Sequence, residues 1–428
     1  MILSSSGLPP PWQQPAISCR HCSIVCGASS SLAGPGPEKK EVVLIGGTGR
    51  VGSSTARALA RVWPDLQLVL AGRNRERGEG IASEIGAGTK FRAVDIEDLN
   101  SVAQAIEGAK LVIHSAGPFQ RKNRCTVLEA AIETKVPYID VCDDLTHAQL
   151  AKSLHNKAVE AGVPAIITTG LYPGVSNIMA AELVRLARES SAGSRPRELR
   201  FSYFTAGSGG VGPTILATSF LLLSEQVLTY SKGKVVKLDP FSGERIVDFG
   251  KAVGKRSVFL INLPEVVTAF ENLKVPTITA RFGTAPFFWN WIMGAIAGRD
   301  FLKDDSKVQS LAKISAFAVR IIDRLVGAKV SMRVDLSCTD GKRAVGLYTH
   351  RNLSVCVGSA TAAFAAPVLQ GKTRPGVWFP EQDEAIPFQY RGQLLQQASK
   401  GTSSFVMNRS PWMVEGDPKE IGFGIYLE

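Results

Sequence analysis

The chain has 428 residues, which corresponds to two or three domains of ordinary size and is long enough to bury a core without disulfide or metal support. Its hydrophobic content of 45% and charged content of 20% exclude a wholly disordered chain, a collagen-like chain and a coiled coil, and no apolar stretch is long enough for a transmembrane helix. The net charge of +11 favours anionic partners such as phosphates or a membrane surface, whereas the absence of dense Lys/Arg runs argues against nucleic acid.

Residues 1–40 are rich in Ser and Pro and contain no acidic residue before Glu38. A segment of this composition cannot bury a core, and a Ser-rich, acid-poor N-terminus is typical of an organelle transit peptide. Because Arg20 is the only basic residue before Glu38, we expect a chloroplast rather than a mitochondrion, with an ordinary disordered tail as the alternative. Three cysteines at 19–26 lack a second ligand pair, so no metal site is predicted.

A short apolar run over residues 41–45 leads directly into a glycine-rich turn, and a helical pattern follows. Strand, glycine turn and helix in this order are the context that a dinucleotide-binding fingerprint requires. The glycines allow a close approach of the backbone to a pyrophosphate, and the helix N-terminus offers free N–H groups. The alternative is a glycine-rich turn in a doubly wound domain that has lost its nucleotide ligand. The predicted cofactor contacts here are Gly46, Gly47, Thr48, Gly49, Arg50, Val51 and Gly52.

The second strand-like segment ends at Gly72, and the chain continues with Arg73, Asn74 and Arg75. NAD-preferring sites carry an acidic residue at this position, on the ribose 2′-hydroxyl. A carboxylate would repel a 2′-phosphate, whereas a guanidinium can pair with it. The sequence therefore predicts NADP(H), with NAD(H) less favoured, and assigns the contact to Arg73 and its neighbour Asn74. A solvated arginine pair at a helix start is the alternative.

Strand-like and helical segments alternate as far as residue 170, which predicts a complete doubly wound parallel sheet. Ligands in such sheets bind at the carboxyl ends of the strands. The residues at those ends that we assign to the cofactor are Asp95, Ser115, Ala116, Gly117, Pro118 and Phe119. Those that we assign to proton transfer are Asp140, Cys142, Asp143 and Tyr172. Helix capping by Asp143 or Asp144 is the alternative.

At these residues the chain resembles the saccharopine dehydrogenase-like oxidoreductase family, in a plant plastid-type form. The motifs that carry the resemblance are VVLIGGTGRVG, AGPF at 116–119, YIDVCDD at 138–144, GLYPGVSN at 170–177, AGSGG at 206–210 and GVWFPE at 376–381. The resemblance implies an α/β fold, namely a Rossmann-like doubly wound parallel sheet with an inserted α+β second domain and a C-terminal return to the first. It implies an NAD(P)-dependent oxidoreductase without fixing a substrate. Dicarboxylate-binding arginines cannot be placed, so saccharopine oxidation itself is not expected.

The second domain is predicted to be an α+β unit with a mainly antiparallel sheet. Its expected turns are a hairpin near Phe241-Ser242-Gly243 and another at Asp340-Gly341. The predicted organisation is a transit segment at 1–40, a nucleotide domain at 41–170, a substrate domain at 171–350, a returning helix and strand at 351–382, and a tail of unknown role at 383–428.

The segment 285–298 is almost wholly apolar and, at fourteen residues, too short to span a bilayer. Its aromatic residues suit a lipid surface, an apolar substrate wall or a core helix, and they are Phe287, Phe288, Trp289 and Trp291. A helical pattern with basic residues near 308–325 strengthens the case for a peripheral membrane surface.

The sequence thus favours an NADP(H)-dependent oxidoreductase of the chloroplast that transfers a hydride to or from a small organic or lipid-like substrate. A non-catalytic NADPH-binding regulator or scaffold is the first alternative. A peripheral membrane or lipid-body protein is the second. A homodimer is compatible with each of these hypotheses, and no nucleic-acid partner is expected.

Overall fold

The computed structural model describes residues 41–86, 88–190, 194–206, 213–304, 306–315 and 328–415, with short backbone segments at 420–422 and 425–426. Three features of the sequence lie outside the described residues. They are the transit-like segment 1–40, most of the AGSGG motif, and the second half of the basic helical pattern, residues 316–327.

The first sheet has seven parallel strands in the order β15-β6-β5-β4-β1-β2-β3. The strands are β1 (Glu41–Ile45), β2 (Gln67–Gly72), β3 (Lys90–Ala93), β4 (Leu111–His114), β5 (Tyr138–Asp140), β6 (Pro164–Ile166) and β15 (Gly376–Trp378). Its helices are α1 (Arg50–Val62), α2 (Arg75–Ile85), α3 (Leu99–Ile106), α4 (Thr126–Glu133), α5 (Leu145–Ser153) and α6 (His155–Ala161). The order reverses between β1 and β4, which is the arrangement of the doubly wound dinucleotide fold.

The central strands β1, β2 and β4 are apolar along almost their whole length because helices cover both faces of a parallel sheet. Two apolar clusters result, and residues of β1 alternate between them: Val42 and Leu44 belong to one cluster, Val43 and Ile45 to the other. This alternation places successive side chains of β1 on opposite faces of the sheet.

The second sheet has nine strands, with the main order β10-β11-β12-β7-β13-β14-β16 and with β8 paired to β12 and β9. The strands are β7 (Pro196–Ala206), β8 (Val227–Ser231), β9 (Lys234–Leu238), β10 (Arg245–Asp248), β11 (Lys255–Leu260), β12 (Thr277–Ala285), β13 (Lys329–Cys338), β14 (Arg343–His350) and β16 (Ser404–Arg409). The helices after β6 are α7 (Val175–Ser190), α8 (Pro213–Leu222), α9 (Pro264–Leu273), α10 (Phe287–Ile296), α11 (described over 306–315), α12 (Leu353–Leu369) and α13 (Phe388–Ala398). A small separate pair is formed by β17 (Glu420–Gly422) and β18 (Ile425–Tyr426).

The C-terminal return to the first sheet is confirmed. Strand β15 pairs in parallel with β6, and α12 packs on α1 so closely that a Cβ on Gly358 would lie 2.6 Å from the Ser54 carbonyl carbon. The residues beyond the return also join the fold, because β16 pairs with β14 and Leu394 and Leu395 of α13 are buried in the core.

One predicted hairpin is wrong. Strand β9 pairs with β8, and β10 pairs with β11, so the segment around Phe241 connects two different hairpins. Phe241 is buried, has a φ of 58° and stacks on Phe259 with ring centroids 4.5 Å apart. This anchored ring redirects the chain between β9 and β10. The hairpin at Asp340-Gly341 is confirmed, since it joins the antiparallel strands β13 and β14.

Among the residues that the structure describes, no helix is both long enough and apolar enough to cross a bilayer. Within the same part of the chain, no three His, Cys, Asp or Glu side chains come together as metal ligands. The four described cysteines are buried and not disulfide-bonded, and they are Cys125, Cys142, Cys338 and Cys356.

Candidate active site

A cavity of about 680 Å³ extends from the glycine turn after β1 to side chains of the second sheet and its helices. At the first end its lining includes Thr48, Gly49 and Arg50. At the other end it includes Thr205 and Trp289. The volume lies within the range of pockets that hold small organic ligands.

The glycine turn is built for a close approach of main chain to main chain. Gly46 has a φ of +78°, and a Cβ there would lie 2.7 Å from the Ala116 nitrogen. A Cβ on Gly52 would lie 2.3 Å from the Gly46 oxygen, so α1 can start close to β1 only with glycine at this position. A Cβ on Gly47 would likewise lie 2.8 Å from the Leu44 oxygen, so Gly47 and Gly52 shape the turn. Gly46, Thr48, Gly49 and the first residues of α1 line the cavity. This cradle fits a pyrophosphate at a helix N-terminus.

Two arginines line the cavity beyond β2, namely Arg73 and Arg77. Arg75 does not line it, and its guanidinium lies 3.2 Å from the Glu79 carboxylate. Asn74 is the N-cap of α2, and its Oδ1 accepts the Arg77 N–H at 2.9 Å, so Asn74 acts by fixing the start of the helix. Arg77 escaped the sequence analysis, although its place one helical turn after Arg73 was a usable signal.

Asp95 was assigned to the cofactor, and the structure places it outside the cavity lining. Its Oδ1 accepts the Glu97 N–H at 3.0 Å, which closes an exposed turn after β3. The neighbouring apolar side chains, Val94 and Ile96, line the cavity instead. This geometry argues against a direct cofactor contact by the Asp95 carboxylate.

The segment after β4, Ser115 to Phe119, lines the cavity at every position. The Ser115 hydroxyl donates to the Ile45 carbonyl at 3.0 Å, which ties the ends of β1 and β4 together. The Phe119 ring packs between His114, with centroids 4.9 Å apart, and His147, at 5.4 Å. The AGPF segment is therefore held rigidly beside the glycine turn.

Asp140 and Cys142 were assigned to proton transfer, but the structure buries both away from the cavity. The Asp140 carboxylate accepts hydrogen bonds from the backbone N–H groups of Cys142, at 2.9 Å, and Thr168, at 2.8 Å. It also accepts one from the Tyr138 hydroxyl at 2.9 Å. Burial raises the pKa of Asp140 to about 6 and holds the pKa of the Cys142 thiol well above its usual value.

These contacts make Asp140 a positioning residue. Thr168, which is buried, has a φ of 63°, a conformation that costs a non-glycine residue free energy unless its surroundings hold it. The Asp140 carboxylate accepts the Thr168 N–H, and the Asp140 carbonyl accepts both the N–H and the hydroxyl of Thr169. The loop that leads to Tyr172 is thereby fixed.

Asp143 is the acidic side chain that lines the cavity within the described residues. Gln120 donates from Nε2 to Asp143 Oδ1 at 2.9 Å, and the Oε1 of Gln120 accepts the Thr218 hydroxyl at 3.2 Å. Burial raises the pKa of Asp143 to about 6, and the adjacent Asp144 acts in the same direction. A carboxyl group with this pKa can exchange a proton near neutral pH. Asp144 instead caps α5 through the His147 N–H.

Tyr172 lines the same cavity. Its ring stacks on that of Tyr203 with centroids 4.5 Å apart, and its hydroxyl lies 3.5 Å from the Thr205 hydroxyl. Burial raises the pKa of Tyr172, so the phenol stays protonated in the neutral range. The structure therefore brings Asp143 and Tyr172 to one cavity and keeps Asp140 and Cys142 out of it.

The GLYPGVSN and GVWFPE motifs are joined by hydrogen bonds of the Asn177 side chain. The Asn177 amide donates to the Glu381 carboxylate and to the Thr268 hydroxyl, both at 3.1 Å. The Asn177 Oδ1 accepts the Gly174 N–H at 3.0 Å. These bonds link the loop that carries Tyr172 to α9 and to the end of β15.

Glu265 is a fully buried carboxyl group behind Tyr203 that sequence reasoning missed. Its Oε1 accepts the Tyr203 hydroxyl, while its Oε2 has no hydrogen-bond partner among the described residues. Burial raises the pKa of Glu265 to about 7. The only sequence signal was its place in the first turn of α9, which is equally typical of an exposed acid.

The raised pKa of Glu265 predicts that the free energy of unfolding falls as pH rises. A carboxyl whose folded pKa lies above its unfolded value stabilises the fold at low pH, and this contribution disappears as pH rises through the folded pKa. Between pH 5 and 8 the wild-type protein should lose on the order of 2–3 kcal/mol from this group. Glu265→Gln, which cannot ionise, should remove that part of the pH dependence.

The measurement is the free energy of unfolding in urea at several pH values. Glu79→Gln is the control, because Glu79 is an exposed surface acid. If Glu265→Gln followed the wild-type pH profile throughout, Glu265 would not be the titrating group.

The far walls of the cavity are apolar. They come from α8, the segment before α9, β12 and α10, and they include Leu216, Leu223, Leu263, Phe282, Trp289 and Met293. Three threonines, Thr205, Thr218 and Thr284, add neutral polar groups. Within the described lining, the arginines are all at the end near the glycine turn. That distribution suits an uncharged substrate.

Residues 42–166 match the family model described as the saccharopine dehydrogenase NADP binding domain. This segment is therefore similar to a saccharopine dehydrogenase NADP-binding domain. The predicted resemblance and the predicted NADP(H) cofactor are confirmed at the level of this domain. The specific roles of Arg73 and of the other site residues remain predictions.

The chain is also similar to curated relatives. A trans-acting enoyl reductase of Mycobacterium leprae is 28% identical over 163 residues, which cover 37% of this chain and 39% of that protein. Carboxyaminopropylagmatine dehydrogenase of Synechocystis is 24% identical over 256 residues, or 56% of this chain and 61% of that protein. The chain thus matches less than two thirds of the length of either relative.

The fold of most of the chain is shared with two solved structures. Saccharopine dehydrogenase (L-Glu forming) from Saccharomyces cerevisiae superimposes with a TM-score of 0.62 and 16% identity, covering 87% of this chain and 99% of that one. Homospermidine synthase from Legionella pneumophila, solved with NAD, gives a TM-score of 0.57 and 13% identity, covering 90% of this chain and 96% of that one. These similarities establish the predicted two-sheet architecture.

Proposed function

We propose that this protein is an NADP(H)-dependent oxidoreductase that transfers a hydride to or from an uncharged, lipid-like organic substrate. The observation that carries the proposal is a continuous cavity, which begins at the glycine turn and extends between the apolar walls of the second sheet and its helices. In a cofactor enzyme, the protein's task is to orient the reactants and to move protons.

The cofactor end has suitable groups for each part of NADP(H). Thr48 to Val51 and the N-terminus of α1 would bind the pyrophosphate, and Arg73 and Arg77 would bind the 2′-phosphate. Ser115 to Phe119 would flank the nicotinamide ribose. NADP(H), when bound, supplies or accepts the hydride.

The proton that accompanies the hydride would pass through Asp143. Its carboxyl lines the cavity, and its pKa of about 6 allows both protonation states near neutral pH. Gln120 orients this carboxyl, and Tyr172 would donate a hydrogen bond to a substrate oxygen. Thr205, which lies beside the Tyr172 hydroxyl, would help to fix it.

The apolar walls favour some substrate classes over others. A dicarboxylate would leave its charges without partners among the described wall residues, and a polyamine would find one carboxylate, Asp143, in the described lining, so either would carry a high desolvation cost. An uncharged enoyl or carbonyl group on an apolar chain suits walls such as Phe282, Trp289 and Met293. The name of the mycobacterial relative, an enoyl reductase, agrees with this substrate chemistry.

The test is a titration of the full chain with NADPH and NADH, followed by a turnover assay. We expect tight binding of NADPH, weak binding of NADH, and oxidation of NADPH with an apolar enone or ketone, whereas saccharopine should not reduce NADP+. NADPH binding without turnover across uncharged substrate classes would favour the regulator or scaffold. Binding of neither cofactor would overturn the proposal.

A further inference from the structure

Helix α10 is apolar on both of its faces, although it lies at the surface. Trp289 and Met293 point inward, where they line the cavity. Phe287, Phe288, Trp291 and Ile292 lie on the opposite face, with exposed fractions of 66%, 38%, 68% and 43%. A helix that is apolar all round is normally buried, so this exposed face is unusual for a protein surface.

The exposed rings form one cluster. The Phe287 ring lies 5.0 Å from the Trp291 ring and 6.2 Å from the Phe288 ring, centroid to centroid, in edge-to-face geometry. Exposed apolar side chains also occur on the two elements that pack with α10, namely Phe301 in the following 3₁₀ turn and Ile314 in α11. We call Phe287, Phe288, Trp291 and Ile292 the aromatic face.

After α10 the described acids Asp300 and Asp304 are each paired with a lysine, and two exposed basic side chains remain in excess. Arg299 and Lys313 are exposed, and neither has an acidic partner among the described residues. They lie on the turn after α10 and on α11, whose apolar residues share one core cluster with Met293 of α10. Aromatic side chains at the headgroup level with basic residues beside them are the usual composition of a protein's membrane-contacting surface.

We propose that the aromatic face docks this protein onto the surface of an anionic lipid membrane. Docking would place α10, the outer wall of the cavity, against the lipid. The aromatic face takes no part in hydride transfer, so the docking proposal does not depend on the proposed activity. The alternative occupant, a second copy of the chain, is an outcome of the test.

The test is co-flotation of the full chain with vesicles of phosphatidylcholine and phosphatidylglycerol in equal parts. The variant is Phe287→Ser with Trp291→Ser, and the matched control is Phe388→Ser with Trp412→Ser, which removes one Phe and one Trp of similar exposure elsewhere. We expect the variant to bind at least about tenfold more weakly, since two large apolar side chains no longer leave water. The control should float like the wild-type protein.

Two outcomes would overturn the proposal. The first is undiminished flotation of the aromatic-face variant. The second is a wild-type protein that fails to float but forms dimers that the same variant disrupts in analytical ultracentrifugation. NADPH titration of each variant reports separately on the cofactor site and on correct folding. Charge is tested by Arg299→Glu with Lys313→Glu, which should weaken flotation with these vesicles but leave any binding to pure phosphatidylcholine unchanged.

Discussion

Replacement of Arg73 by Glu is expected to weaken NADPH binding by about 100-fold and to leave NADH binding nearly unchanged. A guanidinium–phosphate pair contributes about 1.5–3 kcal/mol, and the new carboxylate adds repulsion of the 2′-phosphate. NADH lacks that phosphate, so it does not experience either effect. The measurement is the dissociation constant of each cofactor, from the change in nicotinamide fluorescence.

The neighbouring arginines provide the comparison. Arg75→Glu makes the same charge change two residues away, at a side chain that pairs with Glu79 outside the cavity, and should alter NADPH affinity little. Arg77→Glu, which acts within the cavity, should resemble Arg73→Glu. Equal losses in the Arg73 and Arg75 variants would instead indicate a long-range charge effect.

Replacement of Asp143 by Asn is expected to lower turnover by about 10²–10⁴-fold while NADPH affinity stays within about threefold. The amide keeps the size of the carboxyl but cannot exchange a proton. In the reductive direction the protonated carboxyl is the active form, and its pKa is raised to about 6. The wild-type rate should therefore fall as pH rises through about 6, and Asp143→Asn should lose that dependence.

The controls separate chemistry from structure. Asp144→Asn retains the oxygen that caps α5, and Asp144 does not line the cavity, so this variant should keep most of its activity. The measurement is the rate of NADPH oxidation between pH 5 and 8. If Asp143→Asn turned over at the wild-type rate, another group would have to transfer the proton, and Tyr172 would be the main candidate.

The sequence predicted the cofactor end of the site well because its signal is local. The glycine turn, the strand before it and the helix after it are contiguous, and a Cβ on Gly46, Gly47 or Gly52 would lie under 3 Å from neighbouring atoms. The acidic pair at the end of β5 shows the opposite case. By position in the sequence, Asp140 and Asp143 are equally plausible proton-transfer residues. In the structure the Asp140 carboxylate accepts the Thr168 N–H, whereas Asp143 lines the cavity.

The second sheet was predicted less well because strand pairing is not a local property. The strands on either side of Phe241 were identified, yet each pairs with the strand on its other side. The burial of Glu265 depends on Tyr203, which is 62 residues away in the sequence. The composition of α10 suggested both a substrate wall and a lipid surface. Only the fold shows that Trp289 lines the cavity and that Trp291 faces outward.

The late position of β15 has a consequence for synthesis of the chain on the ribosome. Strand β6 ends at Ile166, and its outer neighbour begins at Gly376, about 210 residues later in translation. Until that strand emerges, the nascent nucleotide-binding sheet has an open edge at β6, and α1 lacks its cover from α12. Open edges of this kind favour misassociation with other chains. The unit that binds the cofactor can therefore complete its fold only after the ribosome has translated the chain as far as β15.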